Sequence, residues 1–303
     1  MDHKAFVATL DRAHLARLLS VSDGPGVWHL LGHIGMILGG AVWIMQGWPL
    51  WQAVLVLQGV VISFLFTLEH EATHKTPFKT RWLNEWAGSV SGFLILQPFF
   101  WFRYFHLAHH RYTNIPGKDP ELVTGHKPET RKDYYLYLTA LPYWLGMACQ
   151  IKRNAEGKCF CDYIPESARA KVVREGRVMM GLYALCLVSL IFTDLLFWVW
   201  LLPTFLGMPF LRLYLLAEHG RCAYVANMFE NTRTTYTTRF VRFIAWNMPY
   251  HVEHHTIPAV PFHKLPELHG SLKGHHVVTS DGYAAFAAEF HRESKPETER
   301  KTR

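Results

Sequence analysis

Long stretches without charge constrain this chain more than any other feature. Residues 28–48 contain no Lys, Arg, Asp or Glu, and neither do residues 50–68. A helix needs roughly 20 apolar residues to cross a bilayer, so each stretch reads as one crossing. Gly47-Trp48-Pro49 between them reads as a tight turn, which makes the pair a hairpin. A second pair follows. Residues 178–196 are apolar apart from Asp194, and residues 197–216 are apolar apart from Arg212, with the turn expected around Pro203. The expected fold is all-α and integral to the membrane, with four transmembrane helices in two hairpins at about 28–48, 50–69, 178–196 and 198–217.

Charge orients these spans. The connections at 47–50 and 194–204 hold no Lys or Arg, whereas the N-terminal segment, residues 70–177 and the chain after 217 hold nearly all of the 31 basic residues. Basic loops stay on the cytoplasmic side, so both termini and the middle region are expected there. The formal charge of +7 and pI near 9.1 fit a membrane surface or an acidic partner. No nucleic-acid motif accompanies that charge, and nucleic acid is not an expected partner. Only 18% of residues are charged, against roughly 25% in soluble domains, yet mean hydropathy is just +0.03. An embedded part joined to a polar part fits both values, and neither disorder nor a coiled coil does.

Residues 1–26 lack the pattern of a secretory signal. Phe6, Leu10, Leu15, Leu18 and Leu19 fall at helical spacing, an amphipathic segment expected to lie on the membrane surface and to end at Ser22-Asp23-Gly24-Pro25-Gly26. Residues 27–275 form the membrane domain. Within it, 86–102 and 134–151 are apolar but interrupted by Pro98 and Pro142, and read as interfacial or re-entrant helices. Residues 276–303 form a tail, disordered from 292 onward.

Five irregularly spaced cysteines suggest neither a disulfide framework nor a thiolate zinc site. The 19 histidines are another matter, because nine of them fall in four places. His70-Glu71-Ala72-Thr73-His74 has the spacing i, i+4. His106-Leu107-Ala108-His109-His110 and His251-Val252-Glu253-His254-His255 each have i, i+3, i+4, and His219 stands alone. On a helix these spacings place rings on one face, so each box can aim its imidazoles at one point. His70, His74 and His219 lie where the second and fourth spans re-enter the cytoplasm, and the other two boxes lie in cytoplasmic segments. All four places therefore meet on one membrane face, as a cytoplasmic helical cap. A lone histidine is more often a hydrogen-bonded core residue, but crowded neutral rings without a shared ligand are costly. Imidazole suits Zn, Cu, Fe and Ni; a single zinc takes only three or four ligands, and nine histidines are about right for two ions. Glu69, Glu71, Asp119, Glu218, Asn247 and Glu253 are placed to orient the rings.

These boxes, with Arg111-Tyr112-Thr113-Asn114 after the second, Asp119-Pro120, and Pro249-Tyr250 before the third, resemble the integral-membrane fatty acid desaturase and hydroxylase superfamily over about residues 28–270. The resemblance implies two Fe ions held by His70, His74, His106, His109, His110, His219, His251, His254 and His255. It also implies O2 as co-substrate and oxidation of an unactivated C–H bond in a lipid or acyl chain. Desaturation is the first expectation; because three residues rather than four separate the first two histidines, a spacing that resembles sphingolipid desaturases, alkane hydroxylases and carotenoid ketolases as much as other desaturases, hydroxylation or ketolation of an acyl, alkane or carotenoid substrate is the alternative. A membrane metal transporter and a zinc hydrolase are more distant readings. No His-Pro-Gly-Gly haem motif occurs, so electrons are expected from a separate ferredoxin or cytochrome b5 with its reductase, meeting the basic residues Lys75, Lys79, Arg81, Arg103, Arg111 and Lys118. For the substrate path, Ser63 and Thr67 lie four apart with Gly59 on the second span, and Arg212 lies two turns before His219.

Overall fold

The computed structural model describes residues 1–296 apart from 126, 159 and 160. Its first two helices, α1 (His3–Thr9) and α2 (Arg12–Leu18), are capped by the Asp2 and Asp11 carboxylates, which accept from the backbone N–H groups of Ala5 and His14. Both are amphipathic as expected, but the apolar side covers protein rather than lipid. Phe6 and Leu18 are buried in the core, and Phe6 meets the rings of Phe229 and His275 edge-on. The expected break at residues 22–26 is instead a helix start. Ser22 is the N-cap residue of α3 (Asp23–Met45), and Pro25 falls in its first turn, where a missing N–H breaks no hydrogen bond.

The first hairpin is as expected. Its turn uses Gly47 and Leu50 at positive φ and leads into α4 (Trp51–Ser63) and α5 (Leu65–His74). The two are one run of helix with a bend at Phe64. The Thr67 hydroxyl donates to the Phe64 carbonyl at 2.7 Å, the kind of back-bonding that bends helices.

The apolar stretches 86–102 and 134–151 are each divided between two helices. α6 (Arg81–Leu94) ends before a turn with Leu96 at φ 65°, and α7 (Phe99–Tyr112) starts directly after Pro98. After α8 (Pro120–Thr124), α9 (Arg131–Leu138) ends before Ala140 at φ 59°, and Pro142 sits in the first turn of α10 (Leu141–Ala155). The interruption expected at each proline is thus present, with the proline at the start of the second helix of each pair.

Among the described residues, three stretches are long and apolar enough to cross a membrane: Arg12–Met45, Trp51–His74 and Phe197–His219. The expected span at 178–196 is not one continuous helix. α11 (Glu166–Ser189) enters it from a charged half bearing Arg169, Lys171, Arg174, Glu175 and Arg177, and it ends seven residues short. The turn of this hairpin lies at 190–194, not at Pro203. A π-helical turn, Phe197–Leu201, precedes Pro203, and the chain continues straight into α12 (Leu202–His219). Such a wide turn accommodates the ring and the missing N–H of a proline.

α4 and α12 form the centre of the bundle, where Gly59 and Gly207 bring the two backbones together. A Cβ built on Gly59 would lie 1.7 Å from the Pro203 carbonyl oxygen, and one on Gly207 would lie 1.9 Å from the Gly59 carbonyl carbon. The small residue at 59 thus serves close helix packing. Gln58 is satisfied by the Ile37 and Val199 carbonyls, and His33 is held between the Val61 carbonyl and the Trp246 indole. On the outside, Leu38, Val42, Leu185 and Leu187 are exposed, the apolar surface of a membrane protein.

The chain after α12 folds back beneath the bundle as α13 (Met228–Asn231), β1 (Arg233–Thr235), α14 (Arg239–Ile244), α15 (His251–Thr256), α16 (Leu265–Ser271), β2 (Val278–Ser280) and α17 (Tyr283–Glu293). β1 and β2 pair in parallel, Thr234 opposite Thr279. The segment expected to be disordered from 292 is ordered as far as it is described: α17 continues to Glu293, Ser294 is buried, and the Lys295 carbonyl accepts from Arg131 N. Residues 297–303 lie outside the described residues.

Candidate metal centre

The eight box histidines and His219 come together at the cap, in two adjacent sets. His70, His74, His106, His110 and His254 offer ring nitrogens within 4.8 Å of one another, and so do His109, His219 and His255. His251 joins the second set, its Nε2 lying 3.1 Å from that of His219. The sets touch where the rings of His110 and His255 stack at 4.0 Å.

This division departs from the sequence expectation in one respect. Neither i, i+3, i+4 box aims at a single point. On α7, His106 and His110 enter the first set while His109 enters the second. On α15 the roles are reversed, with His251 and His255 in the second set and His254 in the first. Successive helical residues are rotated by about 100°, so the i and i+4 rings lie close to one line and the i+3 ring points well to one side.

The donor chemistry suits metal. Nε2 atoms face one another at 3.0 Å (His74–His106), 2.9 Å (His106–His110), 3.2 Å (His110–His254) and 3.2 Å (His109–His219). Two nitrogens bound to one metal at ~2.1 Å, with angles between square and tetrahedral, stand ~3.0–3.4 Å apart. Neither ring nitrogen of the buried His70 has a hydrogen-bond partner, and neither does Nε2 of His255; buried polar atoms seldom lack a partner. Burial, with repulsion among neighbouring rings, pushes His106, His110, His251, His254 and His255 well below the usual histidine pKa. They are therefore neutral near pH 7, the state that ligates metal. Burial would also lower His109, but the Glu121 and Asp119 carboxylates outweigh it and hold its pKa above the usual range.

The other face of several rings is fixed by the protein. His109 Nδ1 lies 2.9 Å from Asp119, whose carboxylate is held by the backbone N–H groups of Asn114 and Glu121. His219 Nδ1 meets the Asn231 carbonyl at 3.1 Å, and His255 Nδ1 meets the Thr113 hydroxyl at 3.2 Å. Glu218, 3.3 Å from His251 Nδ1, and Glu71, 3.8 Å from His254 Nδ1, stand beside these rings without hydrogen-bonding them. Hydrogen-bonded partners such as Asp119 orient a ring and raise its basicity as a ligand. Replacing Asp119 with Ala is therefore expected to lower metal affinity about 10- to 100-fold, measured by chelator competition, with the protein still folded by circular dichroism.

Three other expected partners do not reach a ring. Glu253 holds the Thr234 hydroxyl and His269, bracing α15. Asn247, at φ 56°, donates to the Phe262 carbonyl and shapes the turn before α15. Glu69 is buried against Gly92, away from the rings, and its oxygens have no hydrogen-bond partner. Of the substrate-path residues, Thr67 gives its hydroxyl to the Phe64 and Ile244 carbonyls and is not free for a substrate. Ser63 is buried, and its hydroxyl has no hydrogen-bond partner. Arg212 does not reach out to headgroups; its guanidinium stacks on Tyr137 at 4.0 Å. Arg103 is buried against Phe99 and beside Glu85, which removes it from the basic outer face.

Residues 231–235 form a wall of the site. Asn231 fixes His219, Thr234 fixes Glu253, and Arg233 donates to the Ala217 and Gly220 carbonyls at 2.6 and 2.9 Å. Arg233 thereby caps the end of α12 that carries His219. Lys127 was not anticipated; it donates to Asn114 and to the His219 carbonyl. Nothing periodic in the sequence marks either cation.

The family model for fatty acid desaturases matches residues 46–279, which include every histidine box. Among similar proteins, the sn-1 oleoyl-lipid 12-desaturase of Picosynechococcus sp. is 24% identical over 280 residues, covering 84% of this chain and 75% of that one. The sphingolipid delta(4)-desaturase/C4-monooxygenase DES2 of Mus musculus is 26% identical over 259 residues, covering 78% and 73%. The sn-1 acyl-lipid omega-3 desaturase (ferredoxin) of Nostoc sp. is 29% identical over 191 residues, covering 59% and 50%. With its histidine sets in place and more than half its length matched, the chain belongs to the fatty acid desaturase family of membrane oxidoreductases.

Proposed function

We propose that this chain uses O2 to oxidise an unactivated C–H bond of a lipid or fatty acyl chain at two irons held by the nine histidines, and that desaturation is its main outcome. The observation that carries this reading is the division of the rings into two touching sets. Iron, if bound there, would supply the redox chemistry of desaturation, in which O2, two electrons and two protons are consumed, two hydrogens leave the substrate and two waters form. The protein's part is positional. Asp119, Asn231 and Thr113 hold His109, His219 and His255 with Nε2 turned inward. Phe66 and Phe102, with ring centres 6.0 Å from His70 and 5.4 Å from His106, wall the first set with apolar surface. Ser63 and Arg212 are the side chains we assign to the substrate path. Hydroxylation is the second outcome, favoured by the mouse relative, whose name joins a desaturase to a monooxygenase. The test is mass spectrometry of lipids from a host expressing the chain. New double bonds that vanish with His110→Ala support the reading; lipids identical in both hosts, with the protein present in the membrane, contradict it.

In this reading the chain crosses the membrane four times, the apolar half of α11 making the third crossing and the turn at 190–194 closing it. Exposed Leu182, Leu185, Val188, Ile191 and Phe192 support it. Both termini and the cap lie in the cytoplasm, and the divisions are residues 1–26, 27–275 and 276–303.

Electrons come from a separate carrier of ferredoxin or cytochrome b5 type; the Nostoc relative is named for ferredoxin. Lys75, Lys79, Arg81, Arg111 and Lys118 are exposed near the boxes, and complementary charge speeds such encounters. Lys75→Glu with Lys79→Glu is expected to raise the carrier concentration for half-maximal rate and leave iron content unchanged. Assays in zwitterionic nanodiscs check this; equal, salt-insensitive carrier dependence in both proteins assigns the basic face to lipid instead.

A further inference from the structure

α6 and α11 lie side by side, pinned at two points. Glu85 on α6 holds Lys171 on α11 at 2.7 Å. Further along both helices, Phe93 stacks on Tyr183 with ring centres 4.7 Å apart, and the Tyr183 hydroxyl donates to the Phe93 carbonyl at 2.6 Å. Between the pins the helices stand apart, leaving a groove of about 370 Å³, within the ~300–1,000 Å³ of small-molecule sites. Phe93, Leu94, Met179 and Leu182 make its walls apolar, and Lys171, Arg174 and Glu175 line it as well, the Glu175 carboxylate accepting from the Phe100 N–H. It opens outward, because Trp86 and Val90 on α6 and Val178 and Leu182 on α11 are exposed beside it.

The groove also crosses a boundary in the sequence. On α11 the charged run Arg174-Glu175-Gly176-Arg177 gives way at Val178 to residues without charge as far as Thr193. Its cations thus stand at headgroup depth and its trough at acyl-chain depth. Lys171 is already shared with Glu85 and lies 3.9 Å over the Phe100 ring, whereas Arg174 is exposed.

We propose that this groove binds an anionic glycerophospholipid, with one acyl chain along Phe93, Leu94, Met179 and Leu182 and the phosphate at Arg174. The proposal rests on α11 entering the bilayer at Val178, as in the reading above. The occupant is distinct from the chain being oxidised, and it touches the helices that position the boxes. Phe100 lies in the first turn of α7, its N–H is held by Glu175 at 2.9 Å, and α6 packs on α5. A ligand that binds only the folded state raises its stability.

The test uses full-length protein in phosphatidylcholine nanodiscs, with Trp86 emission taken as the difference between wild type and Trp86→Phe. Added brominated phosphatidylglycerol should quench Trp86 saturably at low mole fraction and raise the thermal midpoint. Arg174→Gln should increase the half-saturating mole fraction about fivefold, the worth of one basic residue at a membrane surface. Val90→Trp, which fills the groove, should abolish both effects, with iron content unchanged in both variants. Equal quenching by brominated phosphatidylcholine and phosphatidylglycerol, or a phosphatidylglycerol response that persists in Val90→Trp, reduces the occupant to ordinary boundary lipid and overturns the proposal. No quenching of Trp86 even in discs made wholly of brominated phosphatidylcholine overturns it through the membrane placement of α11 itself.

Discussion

Replacing His110 with Ala is expected to lower activity by at least about 100-fold, since each ring lost opens a coordination position that second-row contacts cannot refill. The two-set arrangement makes a sharper forecast about pairs. His110 and His254 are 144 residues apart in the chain but face each other at 3.2 Å in the first set. His254 and His255 are neighbours in the chain but belong to different sets. The double variant His110→Ala with His254→Ala should therefore lose little more metal than either single variant, because both act on one ion. His110→Ala with His255→Ala should lose metal from both positions. Residues sharing one partner couple, and those that do not add. Iron content of the four proteins, purified from the membrane in parallel, checks this; additive loss in the first pair would mean that the sets are not separate centres.

Substitution of Gly207 by Val is expected to prevent folding rather than weaken catalysis. The atoms that a side chain would meet there are the backbone of Gly59 and Val60, at 1.9–2.3 Å. No rotamer change relieves a clash with backbone. Overpacking alone costs about 1–3 kcal/mol, and separating the two central helices of the bundle adds to it, against a total stability of about 5–15 kcal/mol. Gly35 and Gly39 on α3 meet nothing within 4 Å, so Ala at either should be harmless or mildly stabilising. The yield of monodisperse protein in detergent distinguishes them: none for Gly207→Val, normal for Gly39→Ala. Normal yield for both would remove the Gly59–Gly207 contact from the account of how α4 and α12 are held.

The hairpin at residues 28–69 and the meeting of nine histidines on one side were legible because both are periodic signals: uncharged length and ring spacing. The sorting of the boxes was present in the same spacing, since an i+3 ring and an i+4 ring diverge by about 100°, but it takes two boxes with opposite sorting to define two centres. Other features had no periodic signal. Arg233 and Lys127 act on backbone carbonyls brought to them by tertiary folding. Phe6 and Leu18 have the spacing of a membrane-surface helix, and only the packed cap reveals that protein covers them. Proline misled at 25, where it starts a helix instead of ending one, and at 203, where the chain runs on through a π-helical turn.

Metal analysis of the wild-type protein, produced with ample iron and purified without chelator, bears most directly on the central claim. Nine histidines in two touching sets predict close to two irons per chain, both removed by a strong ferrous chelator and both restored on adding ferrous ion, with activity following the second equivalent. A single tightly held metal per chain, or full activity with one equivalent, would contradict it.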